Sequence, residues 1–354
     1  MAQYWLKYGN SALTRSGSCV GIDSTYNPLN PLGLPPFTIR VKYLAGYSPA
    51  DSIGDTRTLV DSTENIWDIT KNSANWNYLF AYQYMPVRAV LGANTAGVTS
   101  MVGTFERCEN LISLEIFDTS AVTNFASMLH GCSALVSCPA FSTQAATSIS
   151  SMFMGCSVLR EIPPMSTSNV LYMQDAFRGC EALTSVQSMD TSSVVNFNGT
   201  FSGCNHIVSV GALDTSSARD CWSMFFHCER LTTLPTLNLA NCWRMKTMFG
   251  RCYVLENIDV RNTGLVTDWE SAFTSCNNLK RIPANLDTAS ATNMTNTFFD
   301  CYKVESGALA LYQQLSTQTT PPTNHTDTFK NCGSDGNPQE LAQIPQSWGG
   351  TMPE

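Results

Sequence analysis

Cysteine is the residue type whose number and spacing could do chemistry in this 354-residue chain, which contains 14 cysteines. Thiols in that number suggest a disulfide framework or a metal site. Four of them (Cys19, Cys138, Cys221 and Cys242) follow no regular spacing. The other ten recur with a period of about 24 residues, and longer intervals precede only the last two: Cys108, Cys132, Cys156, Cys180, Cys204, Cys228, Cys252, Cys276, Cys301 and Cys332.

This spacing argues against both disulfides and metal in the regular series. A fixed period of 20–50 residues indicates stacked repeats, and equivalent side chains on stacked strands lie about 4.7–4.9 Å apart and point the same way. A disulfide needs closer Cβ atoms and a crossed dihedral angle, and a zinc site needs locally paired ligands. We therefore predict a structural ladder of reduced, buried thiols, each a small apolar group with a weak S–H donor for a backbone carbonyl. Disulfides among the four irregular cysteines remain open.

The other reactive side chains offer no catalytic set. Histidine catalysis of nucleophilic attack needs spatial convergence with a serine or cysteine, but the four histidines fall at unrelated positions of the repeat: His130, His206, His227 and His325. Four aspartates form a partial column that could be imagined to bind calcium: Asp118, Asp190, Asp214 and Asp287. Since Thr-Ser or Thr-Ala follows each of them, a turn-capping role is favoured. We predict a protein that is not an enzyme and needs no cofactor or metal.

The elements that position the cysteines follow from the residues around them. Positions are counted from the ladder cysteine, so that Phe201 is Cys−3 and Ile207 is Cys+3 in the rung of Cys204. Large apolar residues recur at Cys−7, Cys−4 and Cys−3, a helical spacing, and Gly or a similarly permissive residue at Cys−1 can end such a turn. Leu-x-x-Leu/Ile then suggests a very short strand, and Asp-Thr-Ser turns the chain. The predicted fold is a repeat solenoid (α+β), a leucine-rich-repeat-like stack of about ten 24-residue rungs, each a short strand plus a helical turn.

Three regions are predicted along the chain. Residues 1–75 form a small N-terminal β domain, a cap or attachment module, with strands at 4–8, 37–44 and 66–70. Residues 76–304 form the solenoid and begin with a degenerate repeat in which Phe80 stands one period before Phe105 and Gln83 replaces the cysteine. Residues 305–354 form a C-terminal capping segment with a helix near 305–315 and a last repeat motif. Solenoids need atypical terminal units that seal the core.

Composition excludes several classes of protein. Net charge is −8 and charged residues make up only 14% of the chain, which argues against nucleic-acid binding through phosphate neutralisation. No apolar stretch approaches the roughly 18 residues of a membrane-spanning helix. The first residues lack the basic start and long apolar run of a signal peptide.

Binding must then use the surface between the fixed core positions. The candidate binding residues are aromatic side chains that depart from the core pattern and charged residues of the predicted strands: Trp222, Phe226, Trp243, Tyr253, Arg160, Glu161, Lys280 and Arg281. Exposed aromatics and arginine are the types enriched at binding hot spots. The alternative is ordinary decoration of the rungs, with some tryptophans packed against the next rung.

The repeat resembles the BspA-type leucine-rich repeats of bacterial surface proteins. The resemblance is carried by segments such as Asp190-Thr191-Ser192-Ser193-Val194 with Phe201-Ser202-Gly203-Cys204, and by Asn293-Met294-Thr295 with Phe298 and Cys301. It covers roughly residues 76–332. The resemblance implies adhesion or protein binding rather than catalysis.

The ends of the chain are similar to those of repeat proteins in phages and prophages of gut bacteria. The segments concerned are 38–43, 65–70 and 303–312. This second resemblance implies a virion, tail-associated component made in the bacterial cytoplasm, which binds a bacterial surface protein or glycan and contacts other virion proteins through its N-terminal domain. A purely structural virion spacer and a cellular surface adhesin are the alternatives, and a homo-oligomer is possible.

Overall fold

The computed structural model describes residues 29–30, 32–49, 53–81 and 87–353. The strand predicted at 4–8, the irregular Cys19 and the cysteine substitute Gln83 lie outside the described residues. The division into three regions stays a prediction.

The N-terminal region is a β-sheet that continues directly into the repeat stack. Its four strands are β1 (Thr38–Tyr43), β2 (Thr56–Asp61), β3 (Ile66–Thr70) and β4 (Val87–Asn94). They pair antiparallel in the order β2-β3-β1-β4, and β4 then pairs in parallel with β5 (Ser113–Leu114), the strand of the Cys108 rung. The strands predicted at 37–44 and 66–70 correspond to β1 and β3, and β1 buries Ile39, Val41 and Tyr43. The strands β2 and β4 escaped the sequence pattern.

The rungs stack through a parallel ladder at position Cys−8. One residue of each rung bridges to the next along the whole stack: Asn75, Ser100, Asn124, Ser148, Tyr172, Asn196, Asp220, Arg244, Asp268, Asn293 and Asn324. The predicted Leu-x-x-Leu/Ile segment supplies only the two-residue strands β5, β6 (Ser185–Val186) and β7 (Ser209–Val210). Two further two-residue strands, β8 (Leu237–Asn238) and β9 (Val260–Arg261), lie beyond that segment in their rungs. The repeat solenoid is therefore present, with strands shorter than a regular sheet requires.

The helical turn predicted between Cys−7 and Cys−1 is not found. In the Cys132 rung the N–H of Phe125 donates to the Ser148 carbonyl of the next rung at 3.0 Å, whereas the N–H of Met128 donates back to Phe125 at 3.0 Å. Donors thus alternate between the next rung and a tight turn, and a positive φ of 55° at Ser127 prevents a continuous helix. The inward positions were nevertheless predicted correctly, since Phe125 and Met128 are fully buried.

The core is a column of stacked phenylalanines at Cys−3. From Phe153 to Phe329 the ring centroids of successive rungs lie 5.0–6.0 Å apart, and their planes lie within 11° of each other. The degenerate first repeat is confirmed, because the buried Phe80 stacks on Phe105 at 5.4 Å. Leu129 interrupts the rings at Cys−3 of the Cys132 rung and is itself fully buried. Stacked rings, with this one leucine, make the interface between neighbouring repeats continuous.

The Asp-Thr-Ser segments form capped turns in the rungs that carry them, as predicted. Asp214 Oδ1 accepts a hydrogen bond from the N–H of Ser216 at 2.8 Å, which caps the turn. The buried Thr215 hydroxyl donates to the Asn238 carbonyl of the next rung at 2.8 Å. The turn is therefore joined to its neighbour by a side chain, and the aspartate oxygen has a backbone partner.

The C-terminal segment packs across the last rungs. Helix α1 (Ala308–Ser316) confirms the helix predicted near 305–315 and buries Ala308, Leu311 and Leu315. A short helix α2 (Pro338–Leu341) and a 3-10 turn (Gln346–Trp348) follow. Within the described part of the chain, no helix is long and apolar enough to cross a membrane.

Candidate functional site

The ladder thiols lie in the core and bond to the backbone. Cys204 Sγ donates to the Phe177 carbonyl of the preceding rung at 3.2 Å, and the same bond recurs from Cys108 to Cys301. Burial raises the pKa of Cys156, Cys204 and Cys276 to about 12. A thiol with so high a pKa is a poor nucleophile and a poor metal ligand at neutral pH.

Two exposed aromatic side chains, Trp222 and Trp243, come together at one place on the stack. The Arg244 guanidinium lies 4.6 Å from the ring centroid of Trp222 and 4.8 Å from that of Trp243. Asp220 holds the guanidinium through two hydrogen bonds, of 3.1 Å from Nε and 2.5 Å from Nη2. Trp222 is 37% exposed and Trp243 is 47% exposed. We call this arrangement the Trp–Arg–Trp stack.

The repeat geometry explains why these four residues meet. Asp220 and Arg244 occupy the Cys−8 position of adjacent rungs and are bridged directly in the ladder. Trp222 lies at Cys−6 of one rung and Trp243 at Cys−9 of the next. A cation between two aromatic faces is attracted by both ring quadrupoles, so the arginine holds both indoles in place on the surface.

Two irregular cysteines lie directly beside the tryptophans in the chain. Cys221 and Cys242 are buried free thiols. The pKa of Cys221 is raised well above its usual value, mainly by its hydrogen bond with Cys242 and secondly by burial. Cys242 Sγ donates to the Arg244 carbonyl at 3.3 Å. Cys138 is also a free thiol, so the disulfides left open by the sequence do not form among these three.

Phe226 and Tyr253 do not belong to the stack. Half-buried Phe226 has the Arg251 guanidinium 5.9 Å from its ring centroid. Arg251 also bonds His227 Nε2 at 2.5 Å, and His227 Nδ1 lies 3.2 Å from Glu229 Oε1. This second cluster is a charge network around an aromatic edge. Tyr253 is half-buried.

The charged candidates of the strand segments lie far from one another. Arg160 and Glu161 are exposed in the Cys156 rung, whereas Lys280 and Arg281 belong to the Cys276 rung, five rungs away. At about 4.8 Å per rung this separation is roughly 24 Å. Lys280 Nζ lies 3.7 Å from Glu305 Oε1. The structure therefore groups Trp222 with Trp243 and leaves the four strand residues as two separate pairs.

Sequence reasoning missed the residue that joins the two tryptophans. Arg244 stands at Cys−8, where Ser or Asn is common, and its carboxylate partner Asp220 stands at the same position one rung earlier. That signal was available, because opposite charges exactly one period apart must face each other on adjacent rungs. No cluster of three metal-ligating side chains occurs among the described residues.

The stacked core, the rung-to-rung ladder and the Trp–Arg–Trp stack define a solenoid repeat protein. Its rungs differ from one another mainly on the lateral surface, the side of the stack that is exposed to water. Three overlapping segments, 74–161, 147–257 and 243–334, match the family described as "Mycoplasma protein of unknown function, DUF285". The chain therefore belongs to the DUF285 family, which supports the predicted relation to BspA-like repeats. The phage context stays a prediction.

The other comparisons add little. A leucine-rich repeat protein from Bacteroides ovatus, known from its crystal structure, is 13% identical, and the match covers 82% of this chain and 91% of that chain. Its TM-score of 0.23 is too low to support a structural argument. No curated protein matches the chain.

Proposed function

We propose that this protein is a non-enzymatic recognition protein that binds a bacterial surface protein or glycan through the lateral surface that carries the Trp–Arg–Trp stack. The observation that carries the proposal is the exposure of Trp222 and Trp243 around a fixed arginine. Tryptophan and arginine supply the largest energies at protein interfaces. The indoles are already held by Arg244 and Asp220, which lowers the entropy lost on binding.

The binding test replaces both indoles in the full chain. Trp222→Ala with Trp243→Ala is expected to weaken binding to cells of a panel of gut bacterial strains by at least thirtyfold, the size of one tryptophan hot spot of about 2 kcal/mol. Binding is measured by titrating fluorescently labelled chain onto the cells.

A matched control removes two equally exposed apolar side chains elsewhere. Val136→Ala with Val208→Ala shortens side chains that are 45% and 44% exposed at Cys+4, and it is expected to leave cell binding within threefold of the parent chain. If the tryptophan variant binds as well as the control while both keep the parent's unfolding midpoint, the proposed site is wrong. If no strain is bound at all, a structural spacer becomes the better account.

We further propose that the protein is part of a phage virion and docks there through its N-terminal sheet. The support is the resemblance of segments 38–43, 65–70 and 303–312 to phage repeat proteins. Mass spectrometry of purified particles is expected to detect the chain at a fixed ratio to tail proteins. Recovery from bacterial outer surfaces with none in particles would favour the cellular adhesin instead.

A further inference from the structure

Threonine is the commonest residue in one exposed column of the stack. At Cys−9, six rungs carry Thr99, Thr123, Thr147, Thr267, Thr292 and Thr323. Each hydroxyl donates to the backbone carbonyl of the same position in the preceding rung, at 3.1–3.4 Å. Threonine therefore has a structural role here, because it adds a rung-to-rung hydrogen bond while staying compatible with water.

Four consecutive rungs abandon this arrangement. Their Cys−9 residues are Leu171, Val195, Arg219 and Trp243, none of which can make the threonine bond. Leu171 is 37% exposed, and Val195 is half-buried. These four rungs therefore lack the threonine hydrogen bond to the preceding rung. Apolar side chains are exposed to water there instead, and packing of the core does not require that exposure.

Two neighbouring columns extend the same stretch. Tyr172 at Cys−8 is 45% exposed, and Trp222 at Cys−6 belongs to the Trp–Arg–Trp stack. Together with the four Cys−9 residues they form one lateral patch: Leu171, Tyr172, Val195, Arg219, Trp222 and Trp243. Four rungs span about 14 Å along the stack. Contiguous exposed apolar surface of this kind marks an interaction site.

The charged side chains in and beside the patch differ in whether they have an ion-pair partner. Arg244 is paired with Asp220, and Lys246 Nζ lies 2.9 Å from Glu270 Oε2. Exposed Arg219 has no ion pair with any residue that the structure describes. The patch therefore offers one uncompensated cation in a chain whose net charge is −8, and a carboxylate on the partner would complete the pair.

We propose that this lateral patch docks a protein segment that presents aliphatic or aromatic side chains together with a carboxylate facing Arg219. The inference rests on the proposed function and chooses between its two classes of partner. Leu171 and Val195 offer nothing to the hydroxyls of a sugar, and the polar groups of Asp220 and Arg244 are used on each other. Aliphatic, aromatic and arginine side chains together are the composition of a protein interface.

The probe is an array of synthetic 12-residue peptides that combine apolar residues with Glu, Gln or Lys, printed beside neutral and acidic oligosaccharides. The full chain is expected to bind the apolar peptides with Glu, and Trp222→Ala to weaken that binding about thirtyfold. Arg219→Glu is expected to reverse the preference, so that the peptides with Lys bind better than those with Glu. Arg230→Glu, at an exposed arginine on the Cys+2 column of the same rung, is the matched control and is expected to keep the parent's preference.

Three outcomes overturn the inference. The first is binding of peptides whose charge preference is unchanged by Arg219→Glu, and the second is patch-dependent binding of an oligosaccharide in place of any peptide. The third is that neither the peptides nor the oligosaccharides show any binding that Trp222→Ala weakens. In each case the cell-binding titration decides separately whether the proposed function survives, because cells present every surface molecule that the array lacks.

Discussion

Raising the pH from 8 to about 10.5 is expected to unfold this protein in one steep, cooperative transition. Burial raises the pKa of all ten ladder thiols above the ordinary value of about 9, and for Cys156, Cys204 and Cys276 to about 12. A buried thiolate would have no water and only a carbonyl oxygen facing it, so the folded chain keeps the proton.

The sign follows from proton binding in the two states. Below pH 9 folded and unfolded chains both keep their thiols protonated, and the stabilisation is fully present. Between pH 9 and 12 the unfolded chain loses protons that the folded chain retains, so the free energy of unfolding falls as pH rises. Each thiol contributes a slope of up to about 1.4 kcal/mol per pH unit. Ten such thiols would outweigh a typical stability of about 5–15 kcal/mol within one or two pH units.

The measurement is urea unfolding followed by tryptophan fluorescence at closely spaced pH values. Cys204→Ala with Cys228→Ala serves as the control, and it is expected to reduce the slope of stability against pH by up to about 3 kcal/mol per unit. The comparison is between the slopes of unfolding free energy against pH, so a loss of stability of the variant at neutral pH does not affect it. Gradual thiolate formation near pH 9 in a chain that stays folded would contradict the buried ladder.

Phe201→Ala is expected to lower the free energy of unfolding by about 3–5 kcal/mol, the range for removal of a buried aromatic side chain. The Phe201 ring is fully buried and stacks on Phe177 and Phe225 at 5.6 Å on each side. The substitution therefore leaves a cavity in the interfaces with both neighbouring rungs. Since a solenoid is held together by such nearest-neighbour interfaces, we also expect the two halves of the stack to unfold at different denaturant concentrations.

The chain provides its own control for this substitution. Leu129 occupies the equivalent Cys−3 position, fully buried, in the Cys132 rung. Phe201→Leu is therefore expected to cost only about 1.5 kcal/mol and to leave unfolding in a single transition. The experiment is urea unfolding followed by two probes, tryptophan fluorescence and circular dichroism. Equal losses for the two variants would contradict this expectation, because Leu keeps most of the side-chain volume that Ala removes and the cost would then come from the missing ring alone.

The inward positions of the repeat were predictable because they recur. A residue that points into a stacked core meets its own equivalents above and below, so selection of one size and polarity repeats with every rung. Local residue patterns outside the repeat predicted the strand at 37–44 and the helix near 305–315, which the structure contains as β1 and α1. Reasoning from the repeat failed for the conformation between Cys−7 and Cys−1, where apolar residues at helical spacing lie on a series of turns. Such spacing reports which residues face inward and cannot tell where each N–H finds its acceptor.

The candidate site was predictable in part, for the opposite reason. Trp222 and Trp243 were recognisable because they depart from the repeat, but Phe226, Tyr253 and the strand charges depart from it too, and the structure gathers only the first pair. Arg244, which lies one rung beyond Trp222, joins that pair through its side-chain direction and its bond to Asp220. The sequence by itself determined the period, the core positions and the class of fold, because burial constrains every rung alike. The tertiary structure alone decided which surface side chains meet, since the side chains that depart from the repeat follow no period and their contacts depend on how neighbouring rungs are stacked.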